Sequence, residues 1–134
     1  MRYLLDSNVV ITYLNRRSTV LVDRFLATPT EDIALCSVVR AELRYGAMRS
    51  RDPQRTIARQ SQLIDRFLSL PFCDRAADIF GEERARLGRL GTPIGTRDLQ
   101  IAAIALANQL TLVTHNLREF ERVQGLALED WEVP

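Results

Sequence analysis

Lysine is missing altogether: all 18 basic side chains of this 134-residue chain are arginines. Histidine occurs once, at His115, and cysteine twice, at Cys36 and Cys73, with no CxxC spacing. So few nitrogen and sulfur ligands cannot assemble a structural zinc site. The two cysteines sit far apart in apolar contexts and read as core residues. No apolar run approaches the roughly 20 residues needed to cross a bilayer. The N-terminus lacks the basic, apolar and small-residue zones of a signal peptide, so a cytoplasmic protein without a membrane partner is expected. Internal repeats, low-complexity tracts and linkers are absent too, and the net charge is only +1. What remains is a chain 46% hydrophobic and 26% charged, enough for a single domain over 1–134 with a real core.

Apolar bursts alternate with helical patterns along this domain. Strands are expected at 2–5, 32–37, 70–73 and 111–114, with a last extended piece at 126–131. Helices are expected over 7–15, 18–27, 38–50, 53–70, 74–90 and 97–110, capped at their starts by Ser7, Ser37, Asp74 and Thr96, with Pro53 in a first turn. The stretches 91–96 and 115–120 read as loops. Such alternation implies an α/β sandwich around a mainly parallel sheet, whose functional sites lie at the carboxyl ends of the strands.

Three acids interrupt apolar positions near that edge. Asp6 ends the first strand. Glu42 has Val38, Val39, Tyr45 and Gly46 as its helical neighbours at three and four positions, a largely apolar face. Asp98 opens a helix that is apolar nearly all round, with Ile101, Ala102 and Ala105 on its own face. Each has a local explanation: Asp6 as a cap for its loop, Asp98 as an acid favoured by the helix dipole. If they converge, two carboxylates at about 4 Å repel by roughly 4 kcal/mol at an effective dielectric near 20, so they must share protons or hold a cation. Oxygen ligands without thiolate or imidazole select Mg²⁺ or Mn²⁺. A divalent ion held that way suits phosphoryl chemistry. Arg40, Arg44, Arg49, Arg51, Arg55 and Arg59 crowd one segment. They form either a solvated helical face or a stripe that attracts an anionic polymer.

The stretches LLDSNVVITYL, CSVVRAELRYGA, GTPIGTRDLQIAAIALA and LVTHNLREFERVQGLALEDW resemble, in order and spacing, the PIN domain, and more narrowly the VapC ribonuclease toxins of bacterial toxin–antitoxin pairs. The resemblance covers essentially the whole chain. It implies a three-layer α/β/α sandwich with a short, mainly parallel sheet. By position, Asp6 and Asp98 match the family's metal-binding aspartates and Glu42 its helix glutamate. Asn116 falls where many PIN domains carry a fourth acid; its amide brings no charge, which argues against a tightly held second metal. Glu119 could supply that charge, or could be a surface acid. Ser7 and Asn8 would orient Asp6, and Thr96 would fix the entry to Asp98. Arg97 stands where an apolar or aromatic residue is expected, and could touch a phosphate or face solvent. His115 is a weak candidate base, because a metal-activated water needs no histidine.

The resemblance further implies a Mg²⁺- or Mn²⁺-dependent endoribonuclease that leaves a 5′-phosphate and a 3′-hydroxyl, with structured tRNA or rRNA loops as targets. Arg40, Arg44 and Arg97 would contact the RNA backbone. The implied partners are a VapB-type antitoxin, a second copy of the chain, and operator DNA reached only through the antitoxin. A rival reading keeps the PIN fold but makes the acids vestigial, leaving an RNA-binding or scaffolding module. A small phosphatase or receiver-like domain also puts an aspartate after a strand, but it needs a lysine for the phosphate and paired acids near Asp6, and neither is present.

Overall fold

The computed structural model describes residues 1–134. Five parallel strands form one sheet in the order β3-β2-β1-β4-β5. They are β1 (Tyr3–Leu5), β2 (Ile33–Cys36), β3 (Leu68–Leu70), β4 (Thr111–Val113) and β5 (Leu128–Glu129). Seven helices connect them: α1 (Ser7–Leu14), α2 (Thr19–Ala27), α3 (Ser37–Met48), α4 (Pro53–Ile64), α5 (Asp74–Arg89), α6 (Thr96–Ala107) and α7 (Leu117–Phe120). Every residue of β1 and β2 is buried. Side chains alternate between the two faces of a strand, so both faces of the central sheet are covered by helices. The chain leaves β1 for β2 on one side and returns to β4 on the other. The crevice beyond their carboxyl ends is therefore the switch point of an open parallel sheet.

The core is continuous through the sheet and into α6, where Ile101 through Ala105 are all buried. Aromatic packing closes both ends: Tyr13 stacks on Phe25 with centroids 4.0 Å apart, and Trp131 meets Tyr3 edge-on at 5.1 Å. Cys36 is fully buried, and burial pushes its thiol up to about 11; Cys73 is half-buried against the core.

Several element boundaries differ from the sequence reading, each for a tertiary reason. Helix α4 stops at Ile64 instead of running to 70, and Leu68–Leu70 instead pairs with Ala34–Cys36 of β2. The strand thus lies just before the expected 70–73 stretch. Ser37 lies inside α3 with its hydroxyl donating to the Leu70 carbonyl (3.3 Å), and Cys36 holds the cap position without a side-chain bond. Asp6, not Ser7, caps α1, and Gly95, not Thr96, precedes α6. Cys73 takes the cap position before Asp74. Residues 117–120, expected as loop, form the single turn α7.

Candidate active site

Asp6 leaves the central strand β1 fully enclosed, only 4% exposed. Its Oδ1 accepts from the Ser7 backbone N–H (2.8 Å) and more distantly from the Ser7 hydroxyl (3.5 Å). Its Oδ2 accepts from the Thr114 hydroxyl (2.9 Å). Burial nevertheless raises its pKa above the ordinary aspartate value, against the opposing pull of these hydrogen bonds. The local cap explanation for Asp6 is therefore correct but incomplete: the carboxylate caps α1 and also enters an acid centre.

Glu42 projects from α3 towards the same edge. Its Oε1 is buried and has no hydrogen-bond partner, a costly arrangement for a carboxylate oxygen. Burial raises its pKa, Arg97 lowers it, the charge of Asp6 raises it again, and the nearby Ser7 hydroxyl, too poorly placed for a full hydrogen bond, lowers it least. The Arg97 guanidinium stands 4.0 Å from Glu42 Oε2 and is mostly exposed.

Asp98 lies in the first turn of α6, half-buried. Its pKa is pushed up to about 7, first by desolvation, then by the charges of Glu119 and Asp6, and by that of Glu42. Glu119 is partly exposed but tied into the site. Its Oε1 accepts from the Gly95 N–H (3.0 Å) and its Oε2 from the Asn116 amide (2.9 Å). These bonds, the Gly95 N–H foremost, hold its pKa below the ordinary range. The space beside Gly95 is shared: a Cβ there would lie 3.7 Å from Asp98 Oδ2 and 3.8 Å from Glu119 Oε1.

Two clefts open onto this centre. One of about 330 Å³ is lined by Glu42, Gly95, Thr96, Arg97 and Asp98. The other, of about 420 Å³, is bordered by Asp6, Asn8, Arg17, His115 and Asn116 among others. The structure thus gathers Asp6, Glu42, Asp98, Asn116 and Glu119 at the carboxyl edge of the sheet. It does not bring Arg40 and Arg44 there. Each is two positions from Glu42, on the other side of α3, and Arg40 pairs instead with Asp65 (3.5 Å). Of the three predicted backbone-contacting arginines, Arg97 alone borders the acids. Thr96 borders the Asp98 cleft but makes no capping bond. His115 turns to Asp130 (2.9 Å) and Glu132 (3.5 Å).

Thr114 is the residue that the sequence reading missed. It is wholly buried, donates to Asp6 and accepts from the Asn116 N–H (3.0 Å). One hydroxyl thereby ties the first aspartate to the loop after β4. A polar residue at the end of an otherwise apolar buried strand was the available signal.

The donor set fits a hard divalent cation. It offers carboxylate oxygens only, one of them buried without a donor, in mutual repulsion that a cation would relieve. The PIN domain family model matches residues 3–126. The chain belongs to the PIN-domain family, in its VapC ribonuclease branch. It is 39% identical over 131 residues to Ribonuclease VapC2 of Haemophilus influenzae, with 98% of each chain covered. It is 37% identical, at the same coverage, to the tRNA(fMet)-specific endonuclease VapC of Salmonella typhimurium. The crystal structure of DNA-bound VapBC from Salmonella typhimurium contains a chain that superposes with a TM-score of 0.92 at 37% identity, with 98% of each chain covered. VapBC2 of Rickettsia felis, bound to a promoter DNA fragment, gives 0.88 at 33% identity, covering 98% of this chain and 99% of that one. The all-parallel five-stranded sheet is the PIN fold of these proteins, as the resemblance implied.

Proposed function

We propose that this chain is a Mg²⁺- or Mn²⁺-dependent endoribonuclease, the toxin of a toxin–antitoxin pair, acting on structured RNA of the tRNA class. The observation that carries this reading is Glu42 Oε1, a buried carboxylate oxygen without a donor beside two other acids whose pKa values are raised. Asp6, Asp98 and Glu42 would hold the cation. When bound, the ion polarises the scissile phosphate and acidifies the attacking water.

The chain's own groups supply the rest. Thr114 and the Ser7 N–H keep Asp6 aimed in one direction. Glu42 is the acceptor for the proton of the attacking water. Asn116, its amide held by Glu119, borders the cleft and steadies the hydration around the acids. Arg97, at the mouth, meets the phosphate adjacent to the cut and stabilises its charge. Attack by water spares the ribose 2′-hydroxyl and leaves a 5′-phosphate and a 3′-hydroxyl.

The choice of tRNA follows from the named activity of the Salmonella and Shigella relatives. The solved VapBC complexes, two of them bound to DNA, support a VapB-type antitoxin as partner; a toxin dimer, and operator DNA reached through the antitoxin, complete the proposed assembly. Exposed Tyr45 on α3, which lines a cleft together with Val38, Ala41 and Glu42, offers such a partner apolar surface beside the acids.

The test is incubation of the full chain, free of antitoxin, with total tRNA and with rRNA fragments under Mg²⁺, Mn²⁺ or EDTA. Products should carry 5′-phosphates, appear only with metal, and vanish in Glu42→Gln. Undiminished cleavage in EDTA would sink the metal reading. RNA binding without cleavage under either metal would favour the scaffolding alternative.

A further inference from the structure

Two neighbouring clefts are lined by residues of α1 and α4. The first, about 230 Å³, is bordered by Glu42 and Gly46 of α3, Ile11 of α1 and Arg59 of α4. The second, about 280 Å³, shares Leu14 and Arg59 with the first and adds Tyr13, Arg16 and Arg66. Glu42 therefore borders one cleft and three arginines border the next, with Leu14 and Arg59 common to both. No acidic side chain lines the second cleft, and none of the three guanidinium groups forms an ion pair.

These groups are also held in place. Arg59 donates to the Leu14 carbonyl and to Asn15 Oδ1, fixing it on the last turn of α1. Arg16 lies over the Tyr13 ring at 4.5 Å. Its backbone is in the left-handed region, φ 52°, where the chain closes α1 with bonds from Arg16 N to Tyr13 O and from Arg17 N to Thr12 O. Glycine is the unstrained residue at such a helix end, so the backbone gives no reason for an arginine. Arg66 stands over Phe67, whose ring is buried. Three exposed guanidinium groups with no acidic partner around one concavity set up a local positive field that favours an anion.

We infer that the Arg16–Arg59–Arg66 cavity is a phosphate-binding subsite that grips the RNA backbone several nucleotides from the cleaved bond. The inference rests on the ribonuclease reading for its substrate. Arginine forks match phosphate oxygens, and contacts remote from the cut set affinity and register without touching the reacting atoms.

Arg59 supports α1 and is left intact in the test. Arg16→Gly, Arg66→Gln and the double variant are compared with wild type. The probe for binding is a labelled single-stranded oligoribonucleotide in EDTA, titrated by anisotropy at several NaCl concentrations. Cleavage of tRNA with Mn²⁺ gives kcat and KM. In the double variant the slope of log affinity against log salt should fall by about 1.4, roughly 0.7 per lost single-strand phosphate contact. KM should rise by about tenfold with kcat retained, the signature of lost uniform binding. Arg16→Gly should keep or raise the melting temperature, so unfolding cannot mimic the effect. If wild type cleaves and the double variant keeps the wild-type slope and KM, the subsite is overturned and the ribonuclease reading survives. If wild type binds RNA through these arginines but cuts nothing, the subsite stands and the ribonuclease reading fails. Should an Asp/Glu-rich peptide lose affinity in the variants while the RNA does not, the cavity takes a protein segment and the inference is wrong.

Discussion

Asp98→Asn should stabilise the metal-free protein, and increasingly so as pH rises. In the folded chain Asp98 ionises only near pH 7, against an ordinary value of 3.8. A carboxyl with a raised folded pKa holds its proton longer in the native state than in the unfolded one. Stability is therefore intact below about pH 4 and is lost progressively as pH climbs to 7. The full displacement corresponds to about 4 kcal/mol, but Asp98 is half-exposed, and solvent screening reduces this to about 1–2 kcal/mol. For a domain of this size that is a gain of about 3–8 °C in melting temperature. Asparagine removes the charge and keeps the shape. Differential scanning fluorimetry in EDTA at pH 5, 6.5 and 8 would show wild type and variant diverging towards pH 8. Saturating Mn²⁺ should reverse the order by stabilising wild type alone. A variant no more stable than wild type at pH 8, or a gap independent of pH, would refute the picture of a desolvated Asp98 carboxylate crowded by its neighbouring acids.

Three other perturbations probe the supports of the site. Thr114→Val removes the donor to Asp6 and the acceptor for Asn116 N–H from a dry position. It should cost about 1–3 kcal/mol by denaturant melts and weaken Mn²⁺ binding, with Thr114→Ser restoring most of both. Asp6→Asn can still accept from Ser7 N–H, so its melting temperature should stay close to that of wild type while cleavage disappears. Asp6→Ala loses the cap as well and should fall by about 1–2 kcal/mol. Glu119→Gln keeps an acceptor for Gly95 but removes a charge beside Asp98. An NMR titration of the metal-free protein should therefore find the Asp98 carboxyl below about 7.

The acids were legible in the sequence because each breaks a pattern: Asp6 an apolar strand, Glu42 an apolar helix face, Asp98 a helix otherwise hydrophobic all round. Periodicity registers such breaks. It does not register partners brought together by the fold. Thr114 is one residue in a short strand until β1 and β4 pair and set its hydroxyl against Asp6. Gly95 and Glu119 are 24 positions apart and meet only at the sheet edge. The end of α4 was misread for the same reason: Leu68–Leu70 carries no strand signal of its own, and β2 recruits it. Charge density along the chain shows that arginines crowd residues 40–59 but not which way they face: Arg40 and Arg44, two positions from Glu42, lie on the other side of α3 from the acids.

If Asp6, Glu42 and Asp98 act as one cation-dependent cutting centre, metal and activity must rise and fall together. Mn²⁺ occupancy by calorimetry and tRNA cleavage are followed on the same preparation, for wild type and Asp98→Asn. Cleavage by wild type should rise in step with Mn²⁺ occupancy, and Asp98→Asn should lose both. Cleavage that persists in Asp98→Asn, or that precedes metal binding in wild type, would contradict the account.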